Sequence, residues 1–257
     1  LKIQADRDDK HRHKKYLKES TVTRIVALDK ESKQSILNDL LKRSPNNYSQ
    51  YESTVNQIIE KVRAEGDKAL FDYTLQLIIR FKRREYPCHK EEIAEAMQDD
   101  ENLIDVIRQS AENIRAFHQK QLRNSWFDAK PDGTILGMKI TAIEGQVSMF
   151  PVEKPLILPV IDECDPCEVA GVDEIIMTTP PGKDGKVNPG TLVAADIAGV
   201  DTIYKVGGAQ AIAAMAFGTD AVPKVDKITG PGNIFVTLAK KAVYGYVSID
   251  SIAGPSE

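Results

Sequence analysis

The carboxyl-terminal part of the sequence repeats one unit: a short apolar run, a turn that contains glycine or proline, and a helical segment. The apolar runs lie at 173–179, 202–206, 225–229 and 247–252, and the helical segments between them lie at 192–198, 209–217 and 234–244. Runs that are apolar on both faces are typical of strands in a parallel sheet, which helices cover on both sides. The alternation predicts four parallel strands joined by right-handed crossovers. We therefore expect an α/β fold.

The residues that precede this repeat predict a different organisation. Residues 1–22 are dense in charge and poor in apolar side chains, so we expect a charged arm that is disordered or weakly helical. Residues 23–149 predict the helix-rich part of a first domain, because apolar residues such as Val55, Ile59 and Val62 recur at helical spacing.

A longer helix is predicted before residue 120, and His118 lies at its end as a surface or boundary histidine. Its expected apolar face consists of Ile104, Val106, Ile107, Ile114 and Phe117. Beyond this helix, residues 133–143 predict short strands with a turn.

The segment 145–168 is rich in proline, and the spacing of residues such as Pro159 and Pro166 argues against a regular helix or a central strand. We expect irregular structure there. Cys164 and Cys167 form a Cys-x-x-Cys pair in this segment. Because a zinc site needs two more ligands, we interpret the pair as two thiols in an irregular loop.

The bulk composition limits the partners. A net charge of -4 provides no general attraction to nucleic acid or to an anionic membrane. No apolar run approaches the roughly 20 residues that a membrane-spanning helix needs. The 3 cysteines do not make a disulfide framework, which favours a reducing compartment. We expect a cytoplasmic protein that binds neither nucleic acid nor membrane.

Two glycine-rich turns, at 207–208 and 230–233, follow predicted strands, at the position where open α/β sheets bind ligands. Small residues let a ligand approach the backbone, and free N–H groups at a helix start favour an anion such as a pyrophosphate. Neither turn is the G-x-G-x-x-G fingerprint. Each could equally be a tight connection without a ligand, and Asn233 could simply cap its helix.

Several motifs in this part of the chain resemble the histidinol dehydrogenase family in order and spacing. They are Val206-Gly207-Gly208-Ala209-Gln210, Val222-Pro223-Lys224-Val225-Asp226-Lys227-Ile228, Gly230-Pro231-Gly232-Asn233 and Ala253-Gly254-Pro255-Ser256-Glu257. The resemblance is tight over 169–257. It is looser over 23–76 and 89–144, where Asn124-Ser125-Trp126-Phe127 carries it.

The resemblance implies an enzyme that oxidises L-histidinol to L-histidine with NAD and works as a homodimer with zinc. Gln210 and Asn233 match residues that contact NAD, and Ser256 matches a serine that contacts the substrate. It also implies a Rossmann-like NAD-binding domain at 150–253, preceded by an incomplete α/β domain and followed by the start of a return segment at 254–257.

The chain departs from the family in two places. Where the family has a Tyr-Val-Pro-Gly-Gly turn, this chain has Met149 in place of the tyrosine, and Val152 and Glu153 follow Pro151. The family's zinc ligands and its catalytic Glu-His pair lie beyond the position of Glu257, so we expect no catalytic or metal-binding residue in this chain. Two alternatives stay open: a non-catalytic fragment that binds nucleotide or protein, and an unrelated NAD-dependent oxidoreductase.

Overall fold

The computed structural model describes residues 33, 48–77, 86–98, 101–143, 145–149, 157–182 and 184–252. The chain divides into two compact units, 1–47 and 48–257, and the elements below belong to the second. The predicted arm at 1–22, the turn at 151–153 and Ser256 lie outside the described residues.

Helices and strands alternate along the second unit. In chain order they are α1 (Ser49–Glu65), α2 (Asp67–Leu77), α3 (Lys90–Ala96), α4 (Glu101–Gln119), β1 (Trp126–Ala129), β2 (Ile135–Met138), β3 (Gly145–Met149), α5 (Ile157–Val169), β4 (Glu174–Thr178), α6 (Pro189–Ile197), β5 (Thr202–Tyr204), α7 (Gly208–Phe217), β6 (Lys227–Thr229), α8 (Ile234–Val243) and β7 (Ser248–Ile249).

A five-stranded sheet with the order β5-β4-β3-β6-β7 organises this unit, and all its neighbouring strands are parallel. The four predicted strands of the repeat are therefore confirmed as β4, β5, β6 and β7, with α6, α7 and α8 between them. A mixed α/β architecture with a parallel sheet is thus present.

The prediction of irregular structure over 145–168 is wrong. Residues 145–149 form β3, which occupies the centre of the sheet, and most of the remainder forms α5. Pro159 lies in the first turn of α5, where no intrahelical N–H bond is needed, and Pro166 lies near its end. Cys164 and Cys167 are accordingly buried helical residues rather than loop thiols.

The position of β3 also bears on the domain organisation. The predicted boundary at residue 150 stays a prediction, although β3, which precedes it, pairs with both β4 and β6.

Residues 86–88, which include Pro87, also join the sheet, beside β5. Cys88 N–H donates to the Ile203 carbonyl at 2.7 Å, next to an antiparallel bridge between Pro87 and Tyr204.

Apolar side chains cover both faces of the sheet, as expected for a doubly covered parallel sheet. On β4, Ile176 joins the core formed with α1, α2, α7 and α8, whereas Ile175 and Met177 join the core formed with α3, α4, α5 and α6. The helical spacing of Val55, Ile59 and Val62 is confirmed, since all three are buried in the first core.

The expected apolar face of α4 is only partly correct. Ile104 and Ile107 are buried, but Val106 and Phe117 are 62% and 59% exposed, and Ala111 takes the third buried position. Their positions follow the 3.6-residue period, on which 104, 107 and 111 share one face.

An antiparallel hairpin of β1 and β2 follows α4, which confirms short strands with a turn but places the first of them before residue 133. Every residue of both strands is exposed, including Phe127 and Ile135. Among the residues that the structure describes, no helix has both the length and the apolar character needed to cross a bilayer.

Candidate functional site at the carboxyl edge of the sheet

The carboxyl ends of the parallel strands meet at one edge of the sheet, and both glycine-rich turns lie there. The turn at 207–208 follows β5 and the turn at 230–233 follows β6. In the sheet, β5 and β6 are separated by β4 and β3. The helices that begin at these turns, α7 and α8, pack against each other and bury residues of the same core.

The turn at 207–208 is shaped by close contact with the loop after β4. A Cβ atom on Gly207 would lie 2.4 Å from Pro180 Cγ, so a side chain cannot fit without displacing the backbone. Gly208 has a φ of 75°, in the left-handed region that favours glycine. Glycine is therefore required at both positions by this structure.

No side chain caps the start of α7, because its N-cap residue is Gly207. The first-turn N–H groups of a helix have no intrahelical acceptor, so this start presents donors at the edge of the sheet. Gln210 lies in this first turn and is 3% exposed. Its amide lies against the turn, since a Cβ on Gly208 would be 2.7 Å from Gln210 Oε1.

The start of α8 is capped differently. Asn233 Oδ1 accepts hydrogen bonds from the N–H groups of Phe235 and Val236 at 3.0 and 3.2 Å. Asn233 therefore caps its helix, which is the alternative that the sequence left open beside a contact with NAD. A Cβ on Gly232 would lie 2.3 Å from Val236 Cγ1, so any other residue at this position would clash with the first turn of α8.

A buried ion pair is hydrogen-bonded to the first residue of the turn at 230–233. Lys240, in α8, is 2% exposed and pairs with Asp250, the residue that follows β7. Its ammonium also donates to the Gly230 carbonyl at 2.9 Å. Asp250 accepts the Gly230 N–H at 3.1 Å, so both residues hold this turn.

A second buried lysine lies after β5. Lys205 Nζ is 2.5 Å from Glu92 Oε1 of α3, and the lysine side chain is 5% exposed. Burial raises the pKa of Glu92, but hydrogen bonds from Lys205 and from the His89 N–H outweigh burial, so this pKa lies below its ordinary value. Glu92 is therefore held in its charged form beside the sheet.

Glu163, in α5, approaches the Lys240–Asp250 pair. Burial raises the pKa of Glu163, and the charges of Asp250 and Asp162 raise it further. Lys240 and a hydrogen bond with Thr229 act in the opposite direction. The carboxyl edge thus combines one uncapped helix start, two glycine-rich turns and several buried charged groups.

Comparison with known proteins identifies the family to which this architecture belongs. A family model described as histidinol dehydrogenase matches residues 41–257. The chain belongs to the histidinol dehydrogenase family. The resemblance inferred from the motifs is thereby confirmed.

Individual members of the histidinol dehydrogenase family support this assignment. Histidinol dehydrogenase of Clostridium acetobutylicum is 51% identical over 207 residues, which cover 79% of this chain and 48% of that protein. The Bacillus subtilis protein is 49% identical over 215 residues, which also cover 79% of this chain and 48% of that protein. The crystal structure of the protein from Elizabethkingia anophelis superposes with a TM-score of 0.75 at 36% identity and covers 79% of this chain and 48% of that chain. The chain spans about half the length of these family members.

The structure places two of the three predicted site residues. Gln210 and Asn233 lie in the first turn of α7 and at the cap of α8, whereas Ser256 lies outside the described residues. Within the described part of the chain, no three His, Cys, Asp or Glu side chains come together as metal ligands do.

Neither buried lysine is among the site residues expected from the sequence, although each leaves a signal in it. Lys205 interrupts the apolar run 202–206, and Lys240 lies four residues after Val236 and three before Val243, on the apolar face of α8. A lysine at a position that the pattern assigns to the core is rarely buried unless it is paired.

Proposed function

We propose that this chain supplies the NAD-binding part of an NAD-dependent histidinol dehydrogenase, which converts L-histidinol to L-histidine. Membership of the histidinol dehydrogenase family carries the proposal. Because the chain spans about half the length of its relatives, we propose that it does not catalyse the reaction alone. The homodimer, the zinc ion and the cytoplasmic location belong to the same proposal.

The topology of the sheet supports a nucleotide at the carboxyl edge. The first strand of the sheet in sequence, β3, lies between β4 and β6, and the chain crosses from β5 back to β6. This order is that of the Rossmann-like doubly wound sheets, which bind ligands outside the carboxyl ends of the strands where the winding reverses. In this chain the reversal lies between β3 and β6, next to the turn at 230–233.

Two helix starts can share the recognition of NAD. The uncapped start of α7 offers N–H donors, which suit a pyrophosphate. The Gln210 amide offers both donor and acceptor beside it. At α8 the Asn233 oxygen is occupied by the cap, so Asn233 would contact the nucleotide through its Nδ2 donor.

The described residues do not fit a zinc ion. Besides the absence of a three-residue ligand cluster among them, the Cys167 thiol is a poor ligand. Burial, and next the charge of Glu163, raises the pKa of Cys167 to about 12. A thiol must lose its proton to bind metal, so we assign no zinc ligand to this part of the chain.

Titration calorimetry with NAD tests the proposal. We expect binding that weakens by about tenfold or more for Gln210→Ala, the loss that a buried hydrogen-bond partner produces. Asn233→Ser keeps a capping oxygen but removes the amide donor, so it should also weaken binding.

The matched control is Asn188→Ala. Asn188 caps α6 through the Thr191 N–H at 3.3 Å, so this variant loses a cap in a helix that belongs to the other core. It should leave NAD affinity unchanged. If Gln210→Ala and Asn233→Ser combined bind NAD as the unaltered chain does, the nucleotide site has been assigned to the wrong place.

A further inference from the structure

Lys240 differs from its neighbour in the same helix. Lys241 is 57% exposed and pairs with Glu52, whose side chain is 44% exposed. Lys240 is 2% exposed, and its ammonium is enclosed between α8, the turn after β6 and the residue after β7. Burying an ammonium is costly unless it is paired and hydrogen-bonded, so this lysine has a specific local environment.

The contacts of Lys240 form a closed ring of three groups. Its ammonium donates to the Gly230 carbonyl at 2.9 Å and to one oxygen of Asp250. The other Asp250 oxygen accepts the Gly230 N–H at 3.1 Å. The ion pair therefore binds both the N–H and the carbonyl of Gly230, and neither of these hydrogen bonds is part of the pairing between strands.

The ring restrains a residue whose backbone is unusual. Gly230 has a φ of 102°, and it begins the turn that leads through Gly232 to Asn233. The close approach of Gly232 to Val236 leaves this turn little freedom to adjust. A shift at Gly230 would therefore be transmitted to Asn233, which caps α8.

We propose that Lys240 and Asp250 are positioning residues, which fix the turn at 230–233 in the conformation that receives NAD. The proposal rests on the proposed NAD site, because the turn has no other assigned ligand. Lys240 acts through the Gly230 carbonyl and Asp250 through the Gly230 N–H. Neither side chain is required to contact the nucleotide.

Two measurements on the same variants test this role. The variants are Lys240→Met, which keeps the length and apolar stem of the side chain, and Lys241→Met as the matched exposed control. Amide hydrogen exchange measured by NMR reports the Gly230 N–H directly, and amides of β4 report global opening of the fold. Calorimetry with NAD reports the consequence for binding.

We expect exchange of the Gly230 amide to accelerate about ten- to a hundredfold in Lys240→Met, because the variant removes the charged hydrogen bond at the Gly230 carbonyl and the cation that holds Asp250 in place. Exchange in β4 should change far less, and NAD should bind about tenfold more weakly. Lys241→Met should leave all three quantities unchanged. Unaltered Gly230 exchange in Lys240→Met, or an equal acceleration at Gly230 and in β4, would overturn the positioning role.

A double variant covers the case in which Lys240→Met does not fold. Lys240→Met combined with Asp250→Asn removes both charges of the pair together, and we expect it to fold with faster Gly230 exchange. If the unaltered chain takes up no NAD, the proposed function fails. The exchange measurement still decides whether the ion pair holds the turn, and normal Gly230 protection in the double variant would contradict it.

Discussion

Asp165, in α5, carries a buried carboxylate whose charge is incompletely compensated. Its side chain is 0% exposed, and Arg115 Nη2 lies 3.2 Å from its Oδ1. Its Oδ2 and the Nε of Arg115 are buried without a hydrogen-bond partner among the described residues. Burial raises the pKa of Asp165 from 3.8 to about 6, although Arg115 opposes the shift, and the charge of Glu168 adds to it.

This raised pKa makes stability depend on pH with a defined sign. Between about pH 4 and pH 6 the unfolded chain has released the Asp165 proton while the folded chain still holds it, so stability falls as pH rises. The full shift corresponds to about 3 kcal/mol at 1.36 kcal/mol per pKa unit. Asp165→Asn removes the charge and keeps the shape. We therefore expect this variant to be more stable than the unaltered chain by about 1–3 kcal/mol at pH 8 and equally stable near pH 4.

Urea unfolding of both proteins at pH 4, 6 and 8 measures this difference. The control is Asp105→Asn, because Asp105 is 76% exposed and pairs with the exposed Arg108. The control should change stability by less than about 1 kcal/mol at every pH. A gain for Asp165→Asn that is the same at pH 4 and pH 8, or a loss at pH 8, would show that Arg115 compensates the carboxylate fully.

Three further predictions concern two contacts at the carboxyl edge and the proposal that the chain does not catalyse the reaction alone. Lys205→Met should lower the free energy of urea unfolding by about 3 kcal/mol, because it leaves the Glu92 side chain, which is only 19% exposed, without its partner. Lys186→Met is the control, because Lys186 is 62% exposed in its pair with Glu95, and it should lower stability by less than about 1 kcal/mol. Gly207→Ala should lower stability by about 1–3 kcal/mol, since its Cβ would meet Pro180, and a thermal melt unchanged from that of the unaltered chain would contradict this. The chain mixed with histidinol, NAD and zinc should produce no NADH absorbance; turnover that chelation abolishes and zinc restores would refute this.

The sheet shows which parts of the fold the sequence could predict. The strands β4 and β5 were predicted because runs such as Ile175, Ile176 and Met177 are apolar on both faces and end at proline or glycine. The central strand β3 was missed because the prolines of 145–168 argue against a central strand over the whole segment, although none of them lies within 145–149. Its place in the sheet comes from pairing with β4 and β6, which no local pattern specifies.

Helix α5 was missed for a different reason. The rule that proline interrupts a helix applies to positions whose N–H is bonded within the helix, and Pro159 lies in the first turn, where that bond is absent. Pro166 does remove such a bond, yet the residues around it are buried against α4 and α6, which stabilises the helix despite the loss. Tertiary packing here outweighs the low intrinsic helix propensity of proline.

The buried lysines show why the candidate site was only partly predictable. A sequence can indicate that Lys205 and Lys240 occupy apolar positions, but it cannot identify the carboxylates that pair with them. Glu92 is separated from Lys205 by 113 positions, and Asp250 from Lys240 by 10. In both cases the fold brings the two charges together, because the lysine and the carboxylate belong to different elements: Lys205 follows β5 and pairs with α3, and Lys240 lies in α8 and pairs with the residue after β7. The glycines and amides of the turns were visible as motifs, whereas the charges that hold those turns in place emerge only from the packed structure.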